Sequence, residues 1–170
     1  MRSTRILSIA ATLVLAGCSS STGPDINKIQ EALANSTLSL KESVAVGESS
    51  VENGLGVRAF LFPATEPEFS VRALSGHMLH DIRVSGVSGE VTSNTEVGDG
   101  SDPCPGSIPL AEAIAIAEAH VNGVGVSVQP DDDDHCLREV QVLSGDTLWE
   151  VKLSREGAVL EVEKADSDSD

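Results

Sequence analysis

Residues 130–135 read "PDDDDH", four consecutive acids closed by a histidine, and "DGSD" at 99–102 adds two more acids. Carboxylate oxygens at that density are the hard ligands that calcium takes. Neither stretch follows the twelve-residue order of a helix–loop–helix calcium site, which needs a glycine at the sixth place and a distal glutamate. Asp131, Asp132, Asp133 and Asp134 are therefore weak metal candidates. An acidic hairpin tip in water is the plainer expectation, and no metal or cofactor is assigned. The four histidines are His77 in a turn, His80 in a strand, His120 at the rim of a helix and His135 in the acidic loop. A nucleophilic enzyme needs a nucleophile, a base and an orienting acid. No G-x-S-x-G, H-E-x-x-H or C-x-x-C-H string accompanies these histidines. No catalytic residue is assigned, and the chain is read as a non-enzyme.

The cysteines are informative through their parity. Arg2 and Arg5 precede an apolar run, Ile6 to Gly17, of signal-peptide length and too short to span a bilayer. It ends in "LAGC", which resembles the bacterial lipobox, where small residues lead to a Cys that receives diacylglycerol. That assigns residues 1–17 to a signal peptide and Cys18 to lipid. Cys104 and Cys136 then remain as an even pair in an oxidising compartment, and a disulfide between them is expected. Ser19 is not the Asp that retains lipoproteins in the inner membrane of enteric bacteria. An outer-membrane anchor facing the periplasm is the expectation if the source is a diderm.

Charge excludes one class of partner. The chain has 27 acids against 11 Lys and Arg, a net −16. Losing Arg2 and Arg5 would take this to about −18, a surface that repels nucleic acid and anionic headgroups. With no Tyr, one Trp and three Phe, stacking platforms are scarce.

The elements that must hold these residues come in two similar sets. "LSGHMLHDIRVS" at 74–85 is echoed by "LSGDTLWEVKLS" at 143–154, down to the acid–aliphatic–base–aliphatic order after the turn. Upstream, "SLKE" from Ser39 is a capping-box start to a helix, and "SIPLAEAIAIAEAHV" places Pro109 in the first turn of another. Leu40, Val44, Gly47 and Val51 share one face, as do Leu110, Ala113, Ile114, Ala117 and Val121. Asn53-Gly54 and Asn122-Gly123 signal helix ends, and alternating segments follow as strands. A short helix is predicted before both sets, over 25–34.

Each set reads helix then four strands, and a one-sided antiparallel sheet must bury its apolar face on the helix. The expected fold class is α+β, two tandem small modules, each a helix packed on an antiparallel sheet. Their boundaries are 39–93 and 107–163, with residues 18–38 as lipidated Cys, tether and short helix, 94–106 as linker and 164–170 as an acidic tail. Modules this small have marginal cores, so the two are expected to pack together or to lean on the disulfide.

The second set resembles a PepSY domain, a PepSY/cystatin-like arrangement. Leu110, Ala113, Ala117, Gly125, Val126, Gly145, Val151, Gly157, Val159 and Leu160 stand where that family's pattern wants them. The first set fits more loosely, through Leu40, Gly56, Val57, Gly76, Ile82, Gly89 and Val91. Two departures stand out: the middle strand lacks its usual aromatic, and Ser85 and Ser154 replace the Asp usual before the last glycine turn. The resemblance implies a non-catalytic module that binds a protein, such as an exported peptidase that it inhibits or regulates. The alternative is an envelope sensor or calcium-binding lipoprotein using the acidic loops. The other expected contact is the membrane, through the lipid on Cys18.

Overall fold

The computed structural model describes residues 25–102 and 104–165. Cys18, the signal peptide and residues 166–170 of the tail lie outside the described residues. Among the described residues there are three helices and eight strands. They are α1 (Ile26–Asn35), α2 (Leu40–Ser49), β1 (Leu55–Phe62), β2 (Glu68–Ser75), β3 (Met78–Ser85) and β4 (Val91–Asp99), then α3 (Leu110–Val121), β5 (Val124–Pro130), β6 (Arg138–Ser144), β7 (Thr147–Leu153) and β8 (Val159–Lys164).

Local chemistry accounts for the element ends. At α2 the Ser39 hydroxyl accepts the Glu42 N–H, and the Glu42 carboxylate accepts the Ser39 N–H, a closed capping box. α3 has no side-chain cap at Pro109, and it stops at Asn122, which is left-handed with φ 53°. α2 ends earlier than its Asn-Gly suggests. Ser50 is its cap, and Asn53, with φ 51°, shapes the turn into β1. The Ser-for-Asp departures also have a use. The Ser85 hydroxyl accepts N–H groups of Val87 and Ser88, and that of Ser154 accepts those of Glu156 and Ala158. A hydroxyl thus does the turn-closing work that an aspartate would do.

All eight strands join one antiparallel sheet, in the order β4-β3-β2-β1-β5-β6-β7-β8. Two tandem modules with a sheet each were expected; the strands instead form one sheet. The sheet is continuous because β1 and β5 pair, with Ala59 opposite Val128 and Phe60 opposite Ser127. Helices α2 and α3 lie on one face, each reaching across the seam. A Cβ added at Gly56 of β1 would meet Leu110 of α3 at 2.9 Å, and one at Gly125 of β5 would meet Leu40 of α2 at 3.7 Å. Leu40, Val44, Leu110, Ile114, Phe69, Val71, Ile82, Val140 and Val151 therefore belong to a single buried core. Half of this sheet could bury too little apolar surface on its own. The expected linker also starts late, because β4 runs on to Asp99.

The two sides of the seam nevertheless share a register. Leu55 faces Leu74 and Val124 faces Leu143, each pair followed by an irregularity just after the strand's first glycine. Leu74 faces Leu79 as Leu143 faces Leu148, and Ile82 faces Asn94 as Val151 faces Val162. Glycines 76 and 145 turn at φ 61° and 59°. The Gly56 N–H is accepted by Glu48 at 2.8 Å, and that of Gly125 by Glu118 at 2.9 Å.

Candidate functional site

The acidic loop is organised by its first residue. Asp131 is buried, at 3% exposure. Its Oδ1 accepts the backbone N–H groups of Asp133 and Asp134 at 2.9 and 2.7 Å, and its Oδ2 meets Lys152 Nζ of β7 at 2.7 Å. The Lys152 ammonium, followed by the Asp134 N–H, holds the Asp131 carboxyl down to about 2. Both oxygens are thus committed inside the fold. Asp134 accepts the Cys136 N–H, and Asp102 that of Cys104. Asp132 and Asp133 are exposed. Among the described residues no three His, Cys, Asp or Glu side chains gather as a metal site.

Cys104 and Cys136 form a disulfide with their Cα atoms 4.9 Å apart. It ties the acidic loop to the segment that leads into α3. Arg138, at 3% exposure, braces the same junction and was not singled out by sequence reasoning. Its Nη2 donates to the Ser107 hydroxyl at 2.7 Å, and its Nη1 donates to the His135 carbonyl at 3.4 Å. Burial lowers the affinity of this guanidinium for its proton. The signal for it is a base two positions after a cysteine in "CLREVQV".

The histidines are dispersed. His77 sits in the exposed β2–β3 turn and His120 in the last turn of α3. The His80 Nδ1 lies 3.0 Å from the Asn94 Oδ1, and the His135 Nδ1 donates to the Asp131 carbonyl at 3.0 Å. Each is explained by a local partner or by exposure.

Two surfaces are presented for contact. Among the described residues the sheet ends in β4 and β8, each hydrogen-bonded on one side only. All nine residues of β4 are exposed. The face of the sheet opposite α2 and α3 carries the other set. On β1 to β3 it displays Arg58, Phe60, Phe62, Arg72, Asp81 and Arg83, with the Arg83 guanidinium 3.9 Å above the Phe62 ring. On β6 to β8 it displays Glu139, Gln141, Glu150, Lys152, Glu161 and Glu163. Burial, reinforced by neighbouring acids, raises the Glu139 and Glu150 carboxyls above the usual range.

Residues 107–166 match the PepSY family model, described as peptidase propeptide and YPEB domain. The match spans α3 to β8 and ends there; β1 to β4 fall outside it. The matched family is a propeptide domain, not a catalytic one. No curated protein matches the chain. Among solved structures, a crystal structure of a Clostridium difficile 630 protein, provisionally assigned as a lipoprotein, aligns at 16% identity and a TM-score of 0.41. The alignment covers 65% of this chain and 82% of that one. No helix among the described residues is long and apolar enough to cross a membrane.

Proposed function

We propose that this chain is an exported, lipid-anchored, non-catalytic protein-binding module built of two PepSY-like repeats, which engages a peptidase or another exported protein. The observation that carries the reading is β4, a nine-residue edge strand exposed along its whole length, with Val91 and Val97 at 39% and 45% exposure. Such an edge offers unpaired backbone groups to an extended segment of a partner. The match over 107–166 supports the assignment of the second repeat, and the shared register supports the first. Anchorage through Cys18 would hold the edge at a membrane surface, the outer membrane facing the periplasm in a diderm.

The competing reading, a calcium-binding or sensing lipoprotein, has less support. Asp131, the buried acid of the cluster, has both oxygens engaged by Lys152 and backbone N–H groups. The test uses the purified full chain against a secreted metallopeptidase. Turnover should slow in proportion to the chain added, equally with and without chelator. The double substitution Val91→Lys and Val97→Lys should relieve the slowing while circular dichroism stays unchanged. Unaltered turnover at excess chain, with no partner captured from envelope extract, would refute the reading. Capture that is lost on adding chelator would favour the calcium reading instead.

A further inference from the structure

We infer that the cleft over Arg58 is a carboxylate-binding site that receives the C-terminal end of a partner polypeptide. The β1–β2 register sets Arg58 directly opposite Arg72. Like charges facing each other on adjacent strands are unfavourable unless each is neutralised. Arg72 is neutralised, its Nε and Nη2 donating to the two Asp81 oxygens at 2.6 and 2.8 Å. That bidentate fork engages both Asp81 oxygens with Arg72. Among the described residues Arg58 has no such counter-ion, and its Nε is buried with no hydrogen-bond partner. A buried guanidinium N–H without an acceptor is costly. The Arg138 Nε is buried in the same way, but its Nη1 and Nη2 are held by the His135 carbonyl and the Ser107 hydroxyl, an anchorage that Arg58 lacks among the described residues.

The same side chain forms a wall of two adjoining cavities. One, of about 320 Å³, is lined by both arginines together with Val57, Leu79 and Pro130. The other, of about 220 Å³, holds Glu139 and Glu150 with Arg58. Neither glutamate is within ion-pair distance of Arg58. The larger cavity therefore combines two guanidinium groups with aliphatic walls. A planar fork matches a carboxylate in two parallel hydrogen bonds, and the apolar walls suit the side chain next to it. Its volume is at the lower end for ligand sites and matches the last residue of a chain. Asp132 also lines this cavity, and the whole chain is strongly acidic. Both features penalise a doubly charged phosphate more than a single carboxylate. The partner as the source of that carboxylate rests on the protein-binding reading; the site itself does not.

The purified full chain is titrated with the tripeptide Ala-Ala-Leu, with its C-terminal amide, and with acetyl-Ala-Glu-Ala amide. Calorimetry gives the affinity, and the Arg58 Nε–H resonance reports the place. The free acid should bind and shift that resonance, and the amide should bind at least ten-fold more weakly. Arg58→Gln should lose at least ten-fold, and Arg83→Gln should lose nothing. Leu79→Trp, which fills the cavity and keeps the charge, should also abolish binding, so the outcome does not hang on how well Arg58→Gln folds. Equal binding of acid and amide, or an unchanged affinity in Arg58→Gln, overturns the site. Equal binding of the glutamate peptide overturns the chain end as its ligand. Tripeptide binding without any protein partner leaves the site standing and removes the protein-binding reading. A partner captured equally well by Arg58→Gln does the reverse.

Discussion

The two sides of the β1–β5 seam differ most at positions that the shared register makes equivalent. Arg72 faces Asp81 across β2 and β3, and Gln141 faces Glu150 across β6 and β7. In the first pair a guanidinium donates twice to the acid and holds the Asp81 carboxyl below its usual range. In the second an amide stands where the guanidinium would be, and burial and Glu163 push the Glu150 carboxyl upward. One backbone geometry thus supports two opposite electrostatic environments. The register keeps the fold, and the open face is free to diverge into a basic, aromatic side and an acidic side. The same holds under the helices, where Gly47 of α2 and Ala117 of α3 both face the core.

The strongest test of the asymmetry is the disulfide, which belongs to the second side alone. Cys104 and Cys136 are 32 positions apart. Replacing both by serine should cost about 3 to 4 kcal/mol in the chain-entropy account, read from a denaturant midpoint. Because the sheet is continuous, the loss should appear as one cooperative transition. Two transitions, the first side melting unchanged, would show that the seam does not couple the halves.

Next in size is Lys152→Met, which strips Asp131 of its counter-ion. The aspartate would be left buried with only the Asp133 and Asp134 N–H groups, at a cost of about 2 kcal/mol at neutral pH. Arg83→Met, the same position on the first side, should cost under about 1 kcal/mol, because its contact with Phe62 is a surface one. Equal losses from the two substitutions would mean that the acidic loop is not anchored through Asp131.

Gly47→Ala tests why α2 keeps a glycine. Helix propensity alone favours alanine by about 1 kcal/mol. A Cβ there, however, would stand 2.7 Å from the Val71 Cγ1. Crowding of that kind costs about 1 to 3 kcal/mol, so the substitution should destabilise on balance. A raised melting temperature would show that α2 can withdraw from β2.

These positions also show what could be read from sequence. The repeat, the capping box at Ser39, the glycine turns and the Cys104–Cys136 pair were legible because local rules govern them: alternation, cap chemistry, left-handed turns and cysteine parity. The joining of two sets into one sheet was not legible, since the Phe60–Ser127 pairing has no signature in either strand. The run of four aspartates hid its own hierarchy. Only burial separates Asp131, which closes the loop, from its exposed neighbours. Arg58 carried no local signal at all, because its meaning depends on Arg72 having taken Asp81.

The smallest effect is the most specific to the comparison, and it is a difference of sign with pH. Asp81 has a lowered carboxyl pKa, so its pairing adds stability above the unfolded value of 3.8, lost as pH falls through the lower folded value. Glu150 has a raised one, so the folded state binds its proton more tightly than the unfolded chain does. Its contribution is fully present below 4.5 and is lost as pH rises through the folded value. At neutral pH, then, Asp81→Asn should destabilise and Glu150→Gln should stabilise. Each change should be within about 1 kcal/mol, since both groups are partly exposed. Gln141→Arg should convert the second pair into the first. The Glu150 carboxyl resonance would then titrate at lower pH, and the stability gained on mild acidification would disappear. If Gln141→Arg leaves the Glu150 titration where it was, the two cross-strand pairs are not equivalent sites, and the shared register does not extend to the side chains of the open face.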